Sequence, residues 1–324
     1  MSVPVAGSPP EHRATQSPVS LTQVAFVFPG QGSQAVGMGK DLRDGFATAR
    51  ELFDEADDAL GFSLSRVILE GPEADLRRTA ITQPAILLVS VAAYRALGLV
   101  PAAVAGHSLG EYSALVAAGA LTFRDAIALV HKRGRYMQEA VPEGDGIMLA
   151  LIGGEADAVA QAIAADGGAV DIANYNAPGQ IVIAGEREAA RRVAAQCGAR
   201  QAIELPVSAP FHCRLMRPAE ERLRADLAQV PFADPHVPLY NNVDARRVTT
   251  AADARDGLAR QVSRSVRWIE LIQHMIADAG VQTFVEIGPG TVLSGLIRRI
   301  DRGVERLAVG DCATLDAARA RLTA

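Results

Sequence analysis

The chain opens its patterned region with the apolar run Val24-Ala-Phe-Val-Phe28, which stops at Pro29-Gly30 and predicts a buried strand entering a glycine-rich loop. From Phe46 to Leu60 the apolar positions Phe46, Phe53, Ala56 and Leu60 recur at helical spacing between charged residues. A second helix is predicted over Pro84–Leu97, with the proline in its first turn, where a missing N–H costs nothing. Residues 102–106 then read as a short strand, and the small residues of 109–119 as a helix packed closely on a sheet.

The middle of the chain changes rhythm. Strands are predicted over 147–152, 170–173, 180–184 and 202–205, with helices over 155–165 and 188–197 and a turn at Asn176-Ala-Pro-Gly179. That order, β-α-β-β-α-β, is the split βαβ of ferredoxin-like folds. A small inserted domain is therefore expected over residues 143–206, within a large domain made of 21–142 and 207–324. After it, helices over 218–230, 251–263 and 267–279 alternate with strands over 237–240 and 283–287, and a helix runs from Gly290 through Ile300. Strands separated by helices imply an α/β fold with a mainly parallel sheet covered on both faces.

Composition narrows the class. Hydrophobic residues make up 49% and charged residues 21%, the balance of a globular chain with a real core. Aromatics are only 5% and the net charge is -5, which argue against a nucleic-acid binder. No run of 18 apolar residues is present, so no membrane span is expected. Residues 1–20, rich in Pro and Ser without an apolar centre, read as a disordered tail rather than a signal peptide. Cys197, Cys213 and Cys312 are odd in number and lack metal-ligand spacing, so they read as reduced thiols of a cytoplasmic protein. Gly30-x-Gly32 lacks the third glycine of a dinucleotide loop, and Gly39-Lys40 lacks the spacing and hydroxyl of a P-loop. No cofactor or metal is expected.

The candidate chemistry begins at Gly106-His107-Ser108-Leu109-Gly110, a GxSxG turn between a predicted strand and a predicted helix, the setting of a nucleophile elbow. Side chains at the two glycines would clash in so tight a turn. The helix behind Ser108 would aim free N–H groups at a developing oxyanion. A serine hydroxyl needs a base. Of six histidines, His12 lies in the tail, His131 and His274 fall within helices, His236 precedes a strand, and His107 adjoins the nucleophile. His212, in Ser208-Ala-Pro-Phe-His212 where the chain leaves the inserted domain, is the candidate base by elimination. Cys213 beside it has no feature of an activated thiolate.

A third residue stands out by misfit. The predicted helix Thr122–Ala140 opens with Thr122 and Asp125 in capping-box spacing and carries an apolar stripe of Phe123, Ala126, Ile127, Val130 and Met137. Arg133 lies on that stripe, whereas Lys132 and Arg135 lie away from it. A guanidinium turned inward must meet an anion, either a protein carboxylate or a substrate carboxylate held in a bidentate fork. The pattern leaves those two readings open. A hydrolase or thioesterase would share the serine and the base, and a non-catalytic protein could keep the same fold.

Seven segments in order extend these observations: Phe28-Pro-Gly-Gln-Gly-Ser-Gln34, Thr82-Gln-Pro-Ala85, Gly106-His-Ser-Leu-Gly-Glu-Tyr-Ser113, Arg133-Gly-Arg-Tyr-Met-Gln138, Asn174-Tyr-Asn-Ala-Pro-Gly179, Ser208-Ala-Pro-Phe-His212 and Glu286-Ile-Gly-Pro-Gly290. Together they resemble the malonyl-CoA:acyl-carrier-protein transacylase family over about residues 22–310. The resemblance implies an α/β-hydrolase-like large domain with a ferredoxin-like insertion. It implies Ser108 as nucleophile and His212 as base, with His212 held by the backbone carbonyl of Gln261 rather than by an aspartate. It further implies an oxyanion hole from the N–H groups of Gln31 and Leu109, and Arg133 as the clamp on the malonyl carboxylate. His107, Gln83 and Phe211 would shape the acyl pocket, Phe211 and Leu109 matching the malonyl rather than the methylmalonyl pattern. The implied partners are malonyl-CoA and a holo acyl carrier protein, approached by a monomeric enzyme, with Arg246, Arg264, Arg267 and Arg298 as candidate docking arginines.

Overall fold

A computed structural model describes residues 21–142 and 144–324 of the chain; the predicted tail lies outside the described residues. Its strands are β1 Val24–Phe28, β2 Ala103–Gly106, β3 Gly146–Ile152, β4 Val170–Ala177, β5 Gln180–Glu186, β6 Gln201–Glu204, β7 Leu239–Tyr240, β8 Arg247–Val248, β9 Thr283–Ile287 and β10 Glu305–Val309. They form two sheets, ordered β10-β9-β1-β2-β7-β8 and β4-β5-β3-β6.

In the first sheet β10, β9, β1, β2 and β7 run parallel, and β8 closes the edge antiparallel. β1 lies centrally and every residue of it is buried. Its alternation splits the core: Val24, Phe26 and Phe28 enter the larger apolar cluster, while Ala25 and Val27 join Trp268, Leu271 and Phe284 on the opposite face. Burial on both faces is why this strand reads as an unbroken apolar run. From β1 the chain builds outward to β2 on one side and to β9 on the other, so the carboxyl ends of these three strands flank a switch in strand order. Such a point is where open α/β sheets hold their ligands.

The second sheet is antiparallel throughout and drawn from residues 146–204. One face, with Ile147, Leu149 and Leu151, packs under the helices Ala156–Asp166 and Arg187–Gln196. The other, with Met148, Ala150, Val182 and Ala184, joins the main core. The order matches the ferredoxin-like expectation. β4 runs four residues beyond the predicted strand and narrows the expected turn to Pro178-Gly179. Its far edge is tied to the large body: Tyr175 N–H donates to Val266 O at 2.9 Å, Val266 N–H to Ala173 O at 2.8 Å, and Ser265 Oγ to Ile172 O at 2.5 Å.

One expectation is corrected. Pro84 is not in a first turn but inside the helix Thr79–Leu97. The proline cannot donate to the carbonyl four residues back, that of Ala80. His131 Nδ1 donates to that oxygen instead, at 2.8 Å from the neighbouring helix Phe123–Glu139. The helix Thr79–Leu97 is long and apolar enough to cross a membrane by composition, yet 78% of its most apolar window is buried inside the protein, so it is a core element. Elements the sequence pattern did not predict include the short helices Lys40–Gly45, Leu64–Glu70 and Glu73–Leu76, strands β8 and β10, and the closing helix Cys312–Thr323. Cys197 and Cys213 are buried, Cys312 is partly exposed, and all three are free thiols.

Candidate active site

β2 ends at Gly106 and the helix Gly110–Ala117 begins four residues later, leaving Ser108 at the apex with φ 53°. A non-glycine residue in the left-handed region marks a turn enforced by its surroundings. A Cβ on Gly106 would stand 1.9 Å from the Gly110 carbonyl, and one on Gly110 would stand 2.0 Å from the Phe28 oxygen. Both glycines are thus required by backbone contact. Asn242 fastens the turn from behind, taking the Ser108 N–H on Oδ1 at 2.6 Å and donating Nδ2 to Gly106 O at 2.7 Å.

Ser108 Oγ lies 2.7 Å from His212 Nε2, and His212 Nδ1 lies 2.8 Å from Gln261 O. A carbonyl can only accept, so Nδ1 carries the proton and Nε2 is left free to receive one. His212 is 3% exposed, and its backbone also adopts a left-handed conformation, φ 60°. Burial, and then the charge of Arg133, push the imidazole down from its usual value to about 3. It is neutral at physiological pH and available as a base.

Arg133 is 1% exposed. Its Nη1 donates to Gln83 Oε1 at 2.8 Å, and its Nη2 to Gln261 Oε1 at 2.9 Å and Ser108 Oγ at 3.2 Å. Its Nε–H has no partner, and the guanidinium makes no ion pair among the described residues. Of the two readings left open by the pattern, a structural ion pair with a protein carboxylate is not what the fold contains. Lys132 pairs with Asp226, and Arg135 is half exposed, both away from the site.

Gln83 is fully buried and donates Nε2 to Gln31 Oε1 at 3.0 Å. The N–H groups of Gln31 and Leu109 make no hydrogen bond to another described residue. His107 packs its ring edge against Trp268 and lies 2.8 Å from Asn176 Oδ1 of β4, so a residue of the second sheet meets the serine turn. Ser108, His107, Gln31, Phe211 and His212 line a cavity of about 200 Å³ together with Met148, Val182 and Leu293. His212 also borders a larger groove, of about 900 Å³, flanked by Arg214, Arg217, Arg260, Arg264 and Arg267 and by Asp171, Glu220 and Asp244. The fold thus brings all nine predicted site residues to one region.

Two residues of this region were not singled out from sequence. Asn242 carried no signal, because its role exists only once β7 lies beside β2. Glu111 stands inside the serine segment but had no assigned part; it is 1% exposed and accepts from Gln261 Nε2 and Asn242 N–H, each at 2.9 Å.

A hydroxyl at hydrogen-bond distance from a neutral, oriented imidazole, with free N–H groups nearby and a guanidinium that no carboxylate among the described residues pairs with directly, suits acyl transfer through a serine ester. Known proteins agree with that chemistry. The acyl transferase domain family matches residues 25–315. The malonyl CoA-acyl carrier protein transacylase of Salmonella typhimurium is 48% identical over 307 residues, which cover 92% of this chain and 99% of the relative. The crystal structure of an acyl carrier protein S-malonyltransferase from Vibrio cholerae superposes with a TM-score of 0.89 at 48% identity, covering 91% of this chain and 99% of that one. A malonyl-transacylase solved in complex with its type II polyketide acyl-carrier protein gives 0.89 at 45% identity, covering 92% and 99%. On fold, site geometry and these likenesses together, the chain belongs to the acyl transferase family, among the malonyl CoA-acyl carrier protein transacylases.

Proposed function

We propose that this protein transfers the malonyl group of malonyl-CoA to the phosphopantetheine thiol of an acyl carrier protein, through a malonyl ester on Ser108. Ser108 Oγ attacks the thioester carbonyl while His212 Nε2 takes its proton, 2.7 Å away. The N–H groups of Gln31 and Leu109 receive the charge that develops on the carbonyl oxygen. The tetrahedral adduct collapses, the carbon–sulfur bond breaks, and CoA leaves with the proton from His212. The carrier thiol then repeats the sequence in reverse, its proton passing through His212 back to Ser108. The reaction is ping-pong, and it draws on side-chain and backbone groups of this chain without a cofactor.

The observation that carries the choice of malonyl is Arg133. A buried guanidinium held only by neutral oxygens retains its attraction for an acyl group that brings a carboxylate. Gln83, His107 and Phe211 shape the space around that group. Among the candidate docking arginines, Arg264 and Arg267 border the groove beside His212, Arg246 is exposed next to the groove residue Asp244, 3.9 Å from its carboxylate, and Arg298 is exposed. The same reading takes the enzyme as a cytoplasmic monomer.

Incubation of the enzyme with malonyl-CoA and holo acyl carrier protein, read by intact mass, tests the proposal. Malonyl carrier protein is expected, with a malonyl adduct on Ser108 when carrier is withheld. Accumulation of free malonate without malonyl carrier protein would make the enzyme a thioesterase instead.

A further inference from the structure

Among the described residues Glu111 is the one acidic side chain hydrogen-bonded into the network behind Ser108, and the reaction above does not use it. It lies in the first turn of the helix that follows the nucleophile, and no cation pairs with it among the described residues. Its Oε2 takes two N–H donors, the side-chain amide of Gln261 and the backbone of Asn242. Gln261 in turn spends its amide in two directions: Nε2 toward Glu111 and Ser108 O, both at 2.9 Å, and Oε1 toward Arg133 Nη2.

An amide can be turned over, exchanging its oxygen and nitrogen with almost no change of shape. Turned over here, it would set Nε2 against the N–H of Arg133 and Oε1 against the Glu111 oxygen, a donor facing a donor and an acceptor facing an acceptor. Together with the Ser108 carbonyl, the Glu111 oxygen excludes that state, because the fixed N–H of Asn242 donates to the same oxygen and keeps an acceptor facing Gln261 whether the side chain is charged or neutral. We propose that Glu111 is a positioning residue for substrate selectivity: it fixes the orientation of the Gln261 amide, and the amide oxygen thereby holds Arg133 in place for the acyl carboxylate.

This inference rests on the malonyl reading and predicts an unusual order of variants. Glu111→Gln keeps an oxygen within reach of Gln261 but gives up the charge. Glu111→Asp keeps the charge but draws the acceptor back by one methylene. If an acceptor at the right distance is what matters, Glu111→Gln holds the ratio of malonyl to acetyl transfer within about twofold of the parent. Glu111→Asp lowers the ratio on the order of tenfold, the worth of one buried hydrogen bond. Gln261→Met, which removes the amide and leaves the backbone carbonyl to His212, lowers the ratio as well and serves if the aspartate variant does not fold.

The measurement is malonyl and acetyl transfer from their CoA thioesters to holo carrier protein, with Arg133→Ala alongside. The proposal is overturned if Glu111→Asp keeps the ratio while Glu111→Gln loses it. It is also overturned if the variants lower both transfers in step, as a merely structural role requires. A normal ratio in Arg133→Ala would overturn the malonyl reading and this inference with it; a lowered ratio in Arg133→Ala but not in Glu111→Asp or Gln261→Met overturns the inference alone.

Discussion

Arg133 brings a charge into the interior without pairing with a carboxylate among the described residues, and under the proposed function that combination ties one side chain to one class of substrate. Replacing it by alanine should lower malonyl transfer by about 10²-fold or more, the scale of a lost charge-assisted pair of about 3 kcal/mol. Acetyl transfer should change far less. Equal losses in the two assays would assign Arg133 to structure. At the neighbouring turn, Gly110→Ala should abolish soluble expression or acylation, because its Cβ would stand 2.0 Å from the Phe28 oxygen. A soluble, fully active Gly110→Ala enzyme would refute the tight-turn account. At this scale much of the site was legible in the sequence. Ser108 announced itself by flanking glycines, and Arg133 by interrupting an apolar stripe. His212 emerged because the other histidines had better explanations, and the fold supplies three of these: His131 serves Ala80, His274 serves Ala245 O at 2.6 Å, and His236 fills the space above Gly119. Asn242 and Glu111 were illegible in role because their partners come from distant segments, and spacing along the chain carries no trace of such contacts.

The helix Thr79–Leu97 illustrates what periodicity can and cannot convey about an element. A proline at position 84 argues for a helix start, and the residues before it show no apolar stripe to argue otherwise. What lets the helix begin five residues earlier is a tertiary hydrogen bond, the one from His131 to Ala80 O. Removing that donor should therefore be more costly than losing a surface histidine. His131→Ala is expected to destabilise the protein by about 1 kcal/mol, the usual net worth of such a bond, without affecting acylation of Ser108. Pro84→Ala should recover much of that loss in the His131→Ala background, since alanine supplies the missing N–H within the helix. Independent, additive effects of the two substitutions in thermal denaturation would count against this pairing. The elements absent from the sequence prediction were mostly short helices and edge strands, such as the two-residue β8, whose pattern is too brief to register.

Across the whole molecule, two buried groups of the site tilt stability in opposite directions as the medium is acidified. His212, at about 3 when folded against an ordinary 6.5, stays unprotonated in the native state while the unfolded chain gains a proton, so stability falls as pH drops below 6.5. Glu111 is raised by burial to about 7 against an ordinary 4.5; the folded state takes the proton first, so stability rises as pH drops from 7 toward 4.5. The two slopes oppose one another between about 4.5 and 6.5. Glu111→Gln removes only the compensating one, and its melting temperature should therefore fall more steeply with acidification than that of the parent. Parallel curves for the two proteins from pH 7.5 to 5 would show that Glu111 does not titrate in this range.

The stitching of β4 to Ser265 and Val266 has a consequence for how substrate enters. The segment that receives β4 begins only a few residues after Gln261, whose carbonyl holds the His212 imidazole. A hinge that swung the small sheet away to admit a carrier protein would have to break backbone hydrogen bonds next to the base, so the gate is expected to lie in side chains rather than in rigid-body opening. Hydrogen–deuterium exchange offers the check. The amides of Tyr175 and Val266 should be among the slowest in the protein and remain so during turnover; accelerated exchange there on adding carrier protein would reveal a breathing cleft instead.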